Sequence, residues 1–284
     1  PVRKYEYRFS QFLIGITGNR NITAASIVLK IPLVMLYLFR LTKKYLKYLL
    51  GALLIFATTN LFFLSSRAAL LSLVLILTFY YSHTLLEFIR EKSFKFFLKR
   101  IFTLSVIIIS SYVYFSYNIV ENDRASIQSR VSSISSTDES ATQRLRFYRQ
   151  AFGYFINNPV NPVGLGNWKL YSVKMDKDKI NSYIVPYVVH NDFLEALVET
   201  SVIGLILYSG FFLILIYMIY GLYLKQKKFK HKTEILLVGM ALLCYLVDAN
   251  LNFPLYRPIM QVNLLVVITL VLSYYNLMSD EKNA

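Results

Sequence analysis

The sequence predicts an all-α polytopic membrane protein: a bundle of about seven transmembrane helices with one long extracytoplasmic loop that carries interfacial helices. Three observations predict it. With 56% hydrophobic residues and a mean hydropathy of +0.46 over 284 residues, the chain is too apolar for a single soluble core. The apolar residues fall in blocks rather than at amphipathic spacing, and blocks of roughly 20 are what a helix needs to cross a bilayer. The 31 Lys and Arg residues, which give a net charge of +15, gather in short clusters between those blocks. That is the pattern of the positive-inside rule and not of a nucleic-acid-binding face.

The candidate spans run in order over 22–39, 47–65, 67–86, 101–120, 202–224, 235–251 and 259–278. Lys30 and Pro32 interrupt the first, which makes it the weakest of the seven. Arg40, Lys43, Lys44 and Lys47 follow the first span, Arg90, Lys92, Lys95, Lys99 and Arg100 follow the third, and Lys225 to Lys232 follow the fifth. These clusters fall on alternate connections, so all three are expected in the cytoplasm. The segment around Gly18 to Asn21, the tight turn Ser65 to Arg67, the stretch 121–201 and the turn 250–258 are then expected outside. The chain divides into 1–120 with transmembrane helices and the outer Ser65–Arg67 turn, 121–201 as the extracytoplasmic loop, and 202–284 with the C-terminal transmembrane helices. It begins at Pro1 with no initiator methionine and is read as the C-terminal part of a longer protein.

The loop opens with the Ser-rich "ASIQSRVSSISSTDESATQRLR", read as flexible. In "RLRFYRQAFGYFINNP", Leu145, Tyr148, Phe152 and Phe155 recur at helical spacing, predicting an amphipathic helix along the outer interface that stops at Asn158-Pro159. Gly164 and Gly166 in "NPVGLGNWKLY" follow no strand, so they read as turn residues and not as a dinucleotide fingerprint. Cys244 stands alone, which leaves no disulfide framework and no paired-cysteine metal site.

The polar residues at the outer edge carry the chemistry. Arg67 sits between two spans, where it either anchors the turn by snorkelling or meets a ligand. Arg144 and Arg146 open the interfacial helix, with Arg149 one turn on; cations there oppose the helix dipole, so an anion is the expected partner. Arg257 lies in the last outward turn with Asp248 as a possible ion-pair partner. His190 follows Pro186 and precedes Asn191 and Asp192, both good cap residues, while Asp192 and Glu195 have capping-box-like spacing. A helix therefore starts near Asn191 and its positive end favours neutral imidazole, the form a general base needs. One histidine among scattered carboxylates lacks metal-motif spacing, so no metal is assigned.

Taken in order, "GNRN" (18–21), "SSRA" (65–68), "TQRLRFYRQAF" (142–152), "NPVNPVGLGNW" (158–168), "HNDFLEALVETSVIG" (190–204) and "LNFPLYRP" (251–258) resemble the O-antigen ligase and polymerase superfamily of bacterial polysaccharide assembly. The resemblance covers most of the chain. It implies a GT-C-type integral-membrane glycosyltransferase of the bacterial inner membrane. Such an enzyme moves a glycan from a polyprenyl-diphosphate carrier to an acceptor such as lipid A core at the periplasmic face, with no cofactor or metal. It further implies that Arg67 and Arg144, and more weakly Arg146 and Arg257, hold the donor diphosphate. His190 then acts on the acceptor hydroxyl, with Asn191, Asp192 and Glu199 in support. Four such groups, far apart in sequence, are expected to converge in one pocket at headgroup level. The family pattern usually has glycine where Ser201 stands, often glycine where Ala68 stands, and proline where Arg20 stands. The partners implied are the lipid-linked donor, a lipid or glycan acceptor and membrane lipids, with no nucleic acid. A polymerase is the alternative activity. A transporter is the alternative class, but it should scatter polar residues at mid-membrane over several helices and show related halves.

Overall fold

The computed structural model describes residues 14–118, 139–177 and 187–283. Its helices are α1 (Arg20–Arg40), α2 (Lys44–Leu64), α3 (Arg67–Glu91), α4 (Phe94–Asn118), α5 (Glu139–Asn157), α6 (Trp168–Asp176), α7 (Asp192–Lys225), α8 (Phe229–Leu251) and α9 (Pro258–Asn283). Short 3-10 turns stand at Gly15–Thr17 and Pro254–Tyr256, and no strand occurs among the described residues. Seven helices are long and apolar enough to cross a membrane, namely α1 to α4, α7, α8 and α9. All seven expected spans are therefore found, α1 among them. Pro32 lies within its 21 residues and Lys30 Nζ donates to Ser26 Oγ one turn back at 2.9 Å. A proline inside a spanning helix removes one donor without ending the helix, because its neighbours re-satisfy the freed group.

The chain forms two compact units. One holds residues 1–132, 218–245 and 259–284; the other holds 133–217 and 246–258. In the first, α1 packs on α2 and α3, and α4 packs on α2 and α3. Lipid supplies no hydrophobic drive between helices, so polar pairs contribute to their contact. Thr58 and Ser111 hydroxyls meet at 2.5 Å between α2 and α4, and Asn263 Nδ2 donates to Ser26 Oγ at 3.2 Å between α9 and α1. The basic ends are tied as well. Arg40 Nη2 donates to Glu234 Oε2 at 2.8 Å, Arg100 pairs with Glu87, and the His83 ring nitrogens meet Tyr223 Oη at 3.1 Å and Thr233 Oγ1 at 2.9 Å. The turn before α3 is tight: Ser65 ends α2 in the left-handed region at φ 50°, and Arg67 is already the first residue of α3.

The second unit is organised around α5, α6 and the start of α7. Ala151, Val163, Trp168, Val189 and Val198 form its buried core, with Tyr148, Tyr154, Phe155 and Leu194 packed against it. Helix α5 ends at Asn157 before Asn158-Pro159, as its sequence predicts, but it begins at Glu139, inside the stretch read as a flexible loop. The earlier part of that Ser-rich stretch, 125–138, lies outside the described residues, as does Pro186. Of the four residues at helical spacing in α5, Tyr148 and Phe155 pack against this core. Phe147 and Ala151 are covered, whereas Leu145, Phe152 and Ile156 stay exposed. Aromatic and aliphatic residues on two sides of α5 give it two apolar stripes, of which one faces this core.

Candidate functional site

The site begins with the turn into α7. Asn191 Oδ1 accepts from the backbone N–H groups of Phe193 and Leu194 at 3.0 and 3.1 Å, which makes Asn191 the N-cap. Asp192, the other cap candidate, turns away: its Oδ2 accepts from the Leu255 N–H at 3.0 Å and the Tyr208 hydroxyl at 3.3 Å. Glu195 does reach back, but to the Val189 N–H at 3.1 Å. His190 lies immediately before the cap with φ 63°, in the left-handed region. That conformation is held from both sides, by Glu195 on the preceding residue and by Tyr148, whose hydroxyl lies 3.0 Å from the carbonyls of both His190 and Asn250. Asn191 Nδ2 adds a bond to the Asn250 carbonyl at 3.2 Å. Helix α5, the α7 turn and the end of α8 are thereby fastened at one point.

The imidazole sits in an aromatic slot. Phe147 stacks on it at 6.0 Å with an interplanar angle of 13°, and Phe253 meets it edge to face at 4.9 Å and 83°. Two cations flank the slot. Arg257 places its guanidinium 4.3 Å over the Phe253 ring, and Arg144 Nη2 donates to Asn252 Oδ1 at 3.2 Å. Asn252 Nδ2 in turn donates to Asp248 Oδ1 at 2.6 Å, so Asp248 holds the side chain that holds Arg144. His190 Nδ1 and Arg257 Nε are buried and have no hydrogen-bond partner among the described residues. Unpaired buried polar atoms are uncommon and cluster where a ligand or a reaction uses them. Burial, and then the charges of Arg144 and Arg257, push the His190 pKa down from 6.5 to about 4. The ring is neutral at physiological pH, although the main cause is burial rather than the helix dipole. Burial also lowers the Arg257 pKa and raises that of the Tyr148 phenol.

The other candidate residues divide. Arg144 and Arg257 lie with His190 in one unit, with Asn191 and Asp192 beside them. Because α5 starts at Glu139, Arg144 is more than a turn inside the helix, so the dipole argument for an anion there does not apply. Its place beside His190 replaces that argument. Arg146 is drawn into an ion pair with Asp176 of α6 at 2.8 Å. Arg257 stacks on Phe253 while Asp248 bonds Asn252, so the Arg257–Asp248 pair considered from sequence is not what organises the turn. Arg67 opens α3 in the other unit and is half-buried. Glu199 is buried at 3% exposure, its Oε1 accepting from the Trp168 N–H at 3.1 Å and its Oε2 facing the Tyr256 hydroxyl at 3.4 Å. No group of three or more metal-binding side chains occurs among the described residues.

Phe147, Phe253, Tyr148 and Asn252 are the residues that sequence reading missed. The available signal was weak: Phe253 and Arg257 stand four apart in a Pro-containing turn, a spacing that does not by itself imply stacking. Ser201 explains another feature. It has φ 66° and ψ −172° within α7, splitting the helix into two pieces. The carbonyls this frees at Val198 and Glu199 accept from the Val163 and Gly164 N–H groups at 3.0 and 3.1 Å, and Ser201 Oγ donates to the Pro159 carbonyl at 3.1 Å. Gly164 and Gly166, at φ 90° and 74°, make the turn that delivers those amides.

Among curated proteins and among solved structures no match was found. A family model described as O-antigen ligase matches residues 52–209, a stretch that contains Arg67, Arg144 and His190 and stops short of Arg257. More than half of the chain lies inside that match, and with its seven apolar helices the chain belongs to the O-antigen ligase family of integral membrane proteins.

Proposed function

We propose that this protein is a metal-independent glycosyltransferase of the ligase type, moving a glycan from a polyprenyl-diphosphate carrier to a lipid or glycan acceptor at the periplasmic face of the inner membrane. The observation that carries the reading is the neutral His190 ring in its aromatic slot, with an unpaired Nδ1 and two arginines close enough for their charges to act on it. Membership of the family implies a lipid-linked glycan and an acceptor as substrates in general. The alternation of basic connections, with Arg40 to Lys47, Arg90 to Arg100 and Lys225 to Lys232 on one side, supports an outward-facing site.

The chemistry follows from these groups. An acceptor hydroxyl attacks the anomeric carbon of the donor sugar, a new C–O bond forms, and the bond from that carbon to the diphosphate oxygen breaks. His190 takes the acceptor proton, and the diphosphate leaves with the bonding electrons. Arg144 and Arg257 compensate the charge that grows on the leaving group, which is where preorganised cations lower a barrier most. Arg67 and Arg146 are assigned to the same diphosphate by the family resemblance alone, and Arg146 would have to exchange its Asp176 partner to reach it. Asn191 caps the helix on which His190 depends, and Asp192 and Glu199 hold the surrounding loops.

Deletion of the gene followed by glycan analysis tests the reading. Loss of long chains from the lipid acceptor with polymer kept on the carrier identifies a ligase. Single repeat units identify a polymerase, and unchanged glycans refute both. Complementation with Arg144→Ala should raise the donor KM, whereas His190→Ala should abolish transfer with the protein still inserted.

A further inference from the structure

Helix α6 joins the two helices that carry the site. At its start the Trp168 N–H donates to Glu199 Oε1 of α7 at 3.1 Å, and the Tyr154 ring of α5 meets Trp168 and Tyr171 edge to face at 6.3 and 5.2 Å. At its end stands Asp176, 1% exposed, whose Oδ2 pairs with Arg146 Nη2 and whose Oδ1 accepts from Gln150 Nε2, both at 2.8 Å. A carboxylate is seldom buried to that degree without partners, and both partners here come from α5, one turn apart. Elsewhere on α5, Arg144 Nη2 donates to Asn252, Phe147 stacks on the His190 ring and the Tyr148 hydroxyl donates to the His190 carbonyl. With about 100° per residue, the two-residue offset between Arg144/Tyr148 and Arg146/Gln150 puts the two pairs on nearly opposite sides of the helix.

A helix fastened along one line can roll about it, and a second line of attachment on the far side stops the roll. Resting on the transferase reading, we propose that Asp176 is a positioning residue for transfer: by holding Arg146 and Gln150 it fixes the roll of α5, and with it the stance of Arg144 and Phe147 against His190. Because His190 stands directly before the N-cap of α7, helices α5, α6 and α7 close a frame in which Asp176 is one joint and the Tyr148–His190 bond another. Arg146 then serves the site without meeting the donor, and within this unit the diphosphate is left to Arg144 and Arg257. The imidazole registers the frame. Its lowered pKa depends first on burial, to which the stacked Phe147 contributes, and then on the charges of Arg144 on α5 and Arg257 in the last turn. Rolling α5 uncovers the ring and withdraws the Arg144 charge, and both changes raise that pKa. Loss of the negative charge of Asp176, acting directly through space, has the opposite sign.

The chain has three histidines, so the full protein, labelled with isotopic histidine and held in lipid nanodiscs, gives few imidazole resonances, and the one lost in His190→Gln belongs to His190. Its titration midpoint is expected at about 4 in the parent. The midpoint should rise by about one unit in Asp176→Asn, and in the same direction in Gln150→Met, which releases the other fastener with no change of charge. Transfer by Asp176→Asn should fall about tenfold, with the acid limb of kcat/KM moving up alongside the midpoint. Far-UV circular dichroism and the emission of the buried Trp168 check that each variant is folded. A midpoint that stays in place or falls in Asp176→Asn overturns the assignment, and if that variant does not fold, Gln150→Met decides by the same criterion. Unchanged glycans in the deletion strain, with the midpoint shift present, would instead refute the transferase reading and leave the placing of His190 by Asp176 standing.

Discussion

In the proposed mechanism His190 acts as a base whose readiness depends on what is bound beside it. In the free protein its pKa lies near 4, below the usual 6.5, so the folded state withholds a proton that the unfolded chain accepts. The stability this contributes is complete above pH 6.5 and is lost as pH falls towards 4. His190→Gln should flatten the pH dependence of thermal unfolding across that window, and an unaltered slope would place the titration elsewhere. An anionic donor would offset the charges of Arg144 and Arg257, so the acid limb of kcat should lie at higher pH than that of kcat/KM. Coincident limbs would mean that the arginines do not meet the donor. Asn191→Ala removes two hydrogen bonds to the first turn of α7 and should cost about 1 kcal/mol in denaturant unfolding. His190, Arg144 and Arg257 were legible in the sequence because charge and position mark them. Phe147 and Phe253 were not, because an aromatic residue in an apolar chain carries no mark of the ring it will pack against.

Among the elements, α7 shows most clearly where sequence reading ends. Its spanning portion from 202 and its start near Asn191 were both visible, but the join at Ser201 was not, since serine carries no sign of positive φ. The glycine that the family resemblance led one to expect there would fit this backbone: φ 66° with ψ −172° is a conformation glycine adopts freely and other residues adopt at a cost of about 1–3 kcal/mol. Ser201→Gly should therefore raise the melting temperature, by the equivalent of about 1 kcal/mol after the lost Pro159 contact is subtracted. A lowered melting temperature would mean that the hydroxyl contact outweighs the strain. Gly204 is a tighter constraint. A methyl group there would lie 1.7 Å from Thr200 Oγ1 and 2.4 Å from its Cβ, so Gly204→Ala should destabilise the protein by about 2 kcal/mol or disturb the kink. The start of α5 departs from expectation for a different reason: serine-rich composition argued for a loop and outweighed Asp138, a residue type favoured at N-caps, which directly precedes Glu139.

At the scale of the whole molecule, seven apolar blocks made the spanning helices readable, because a bilayer imposes a length that a soluble core does not. The proposed orientation rests on charge alone and can be measured on intact cells. Cys244 is buried, so in a Cys244→Ser background a Val160→Cys protein should react with an impermeant maleimide from outside. A Lys228→Cys protein should react only after the membrane is opened, and the reverse pattern would invert the proposed topology. One feature of the second unit sets how such a protein can vary. Asp192, Glu195 and Glu199 follow one another at three- and four-residue steps along α7, and each grips the main-chain amide of a different segment, at Leu255, Val189 and Trp168. The helix works as a rail with three hooks. Lengthening any hanging segment leaves the hooks in place, but inserting a single residue between 192 and 199 would swing the later hooks by about 100° and drop their loads together.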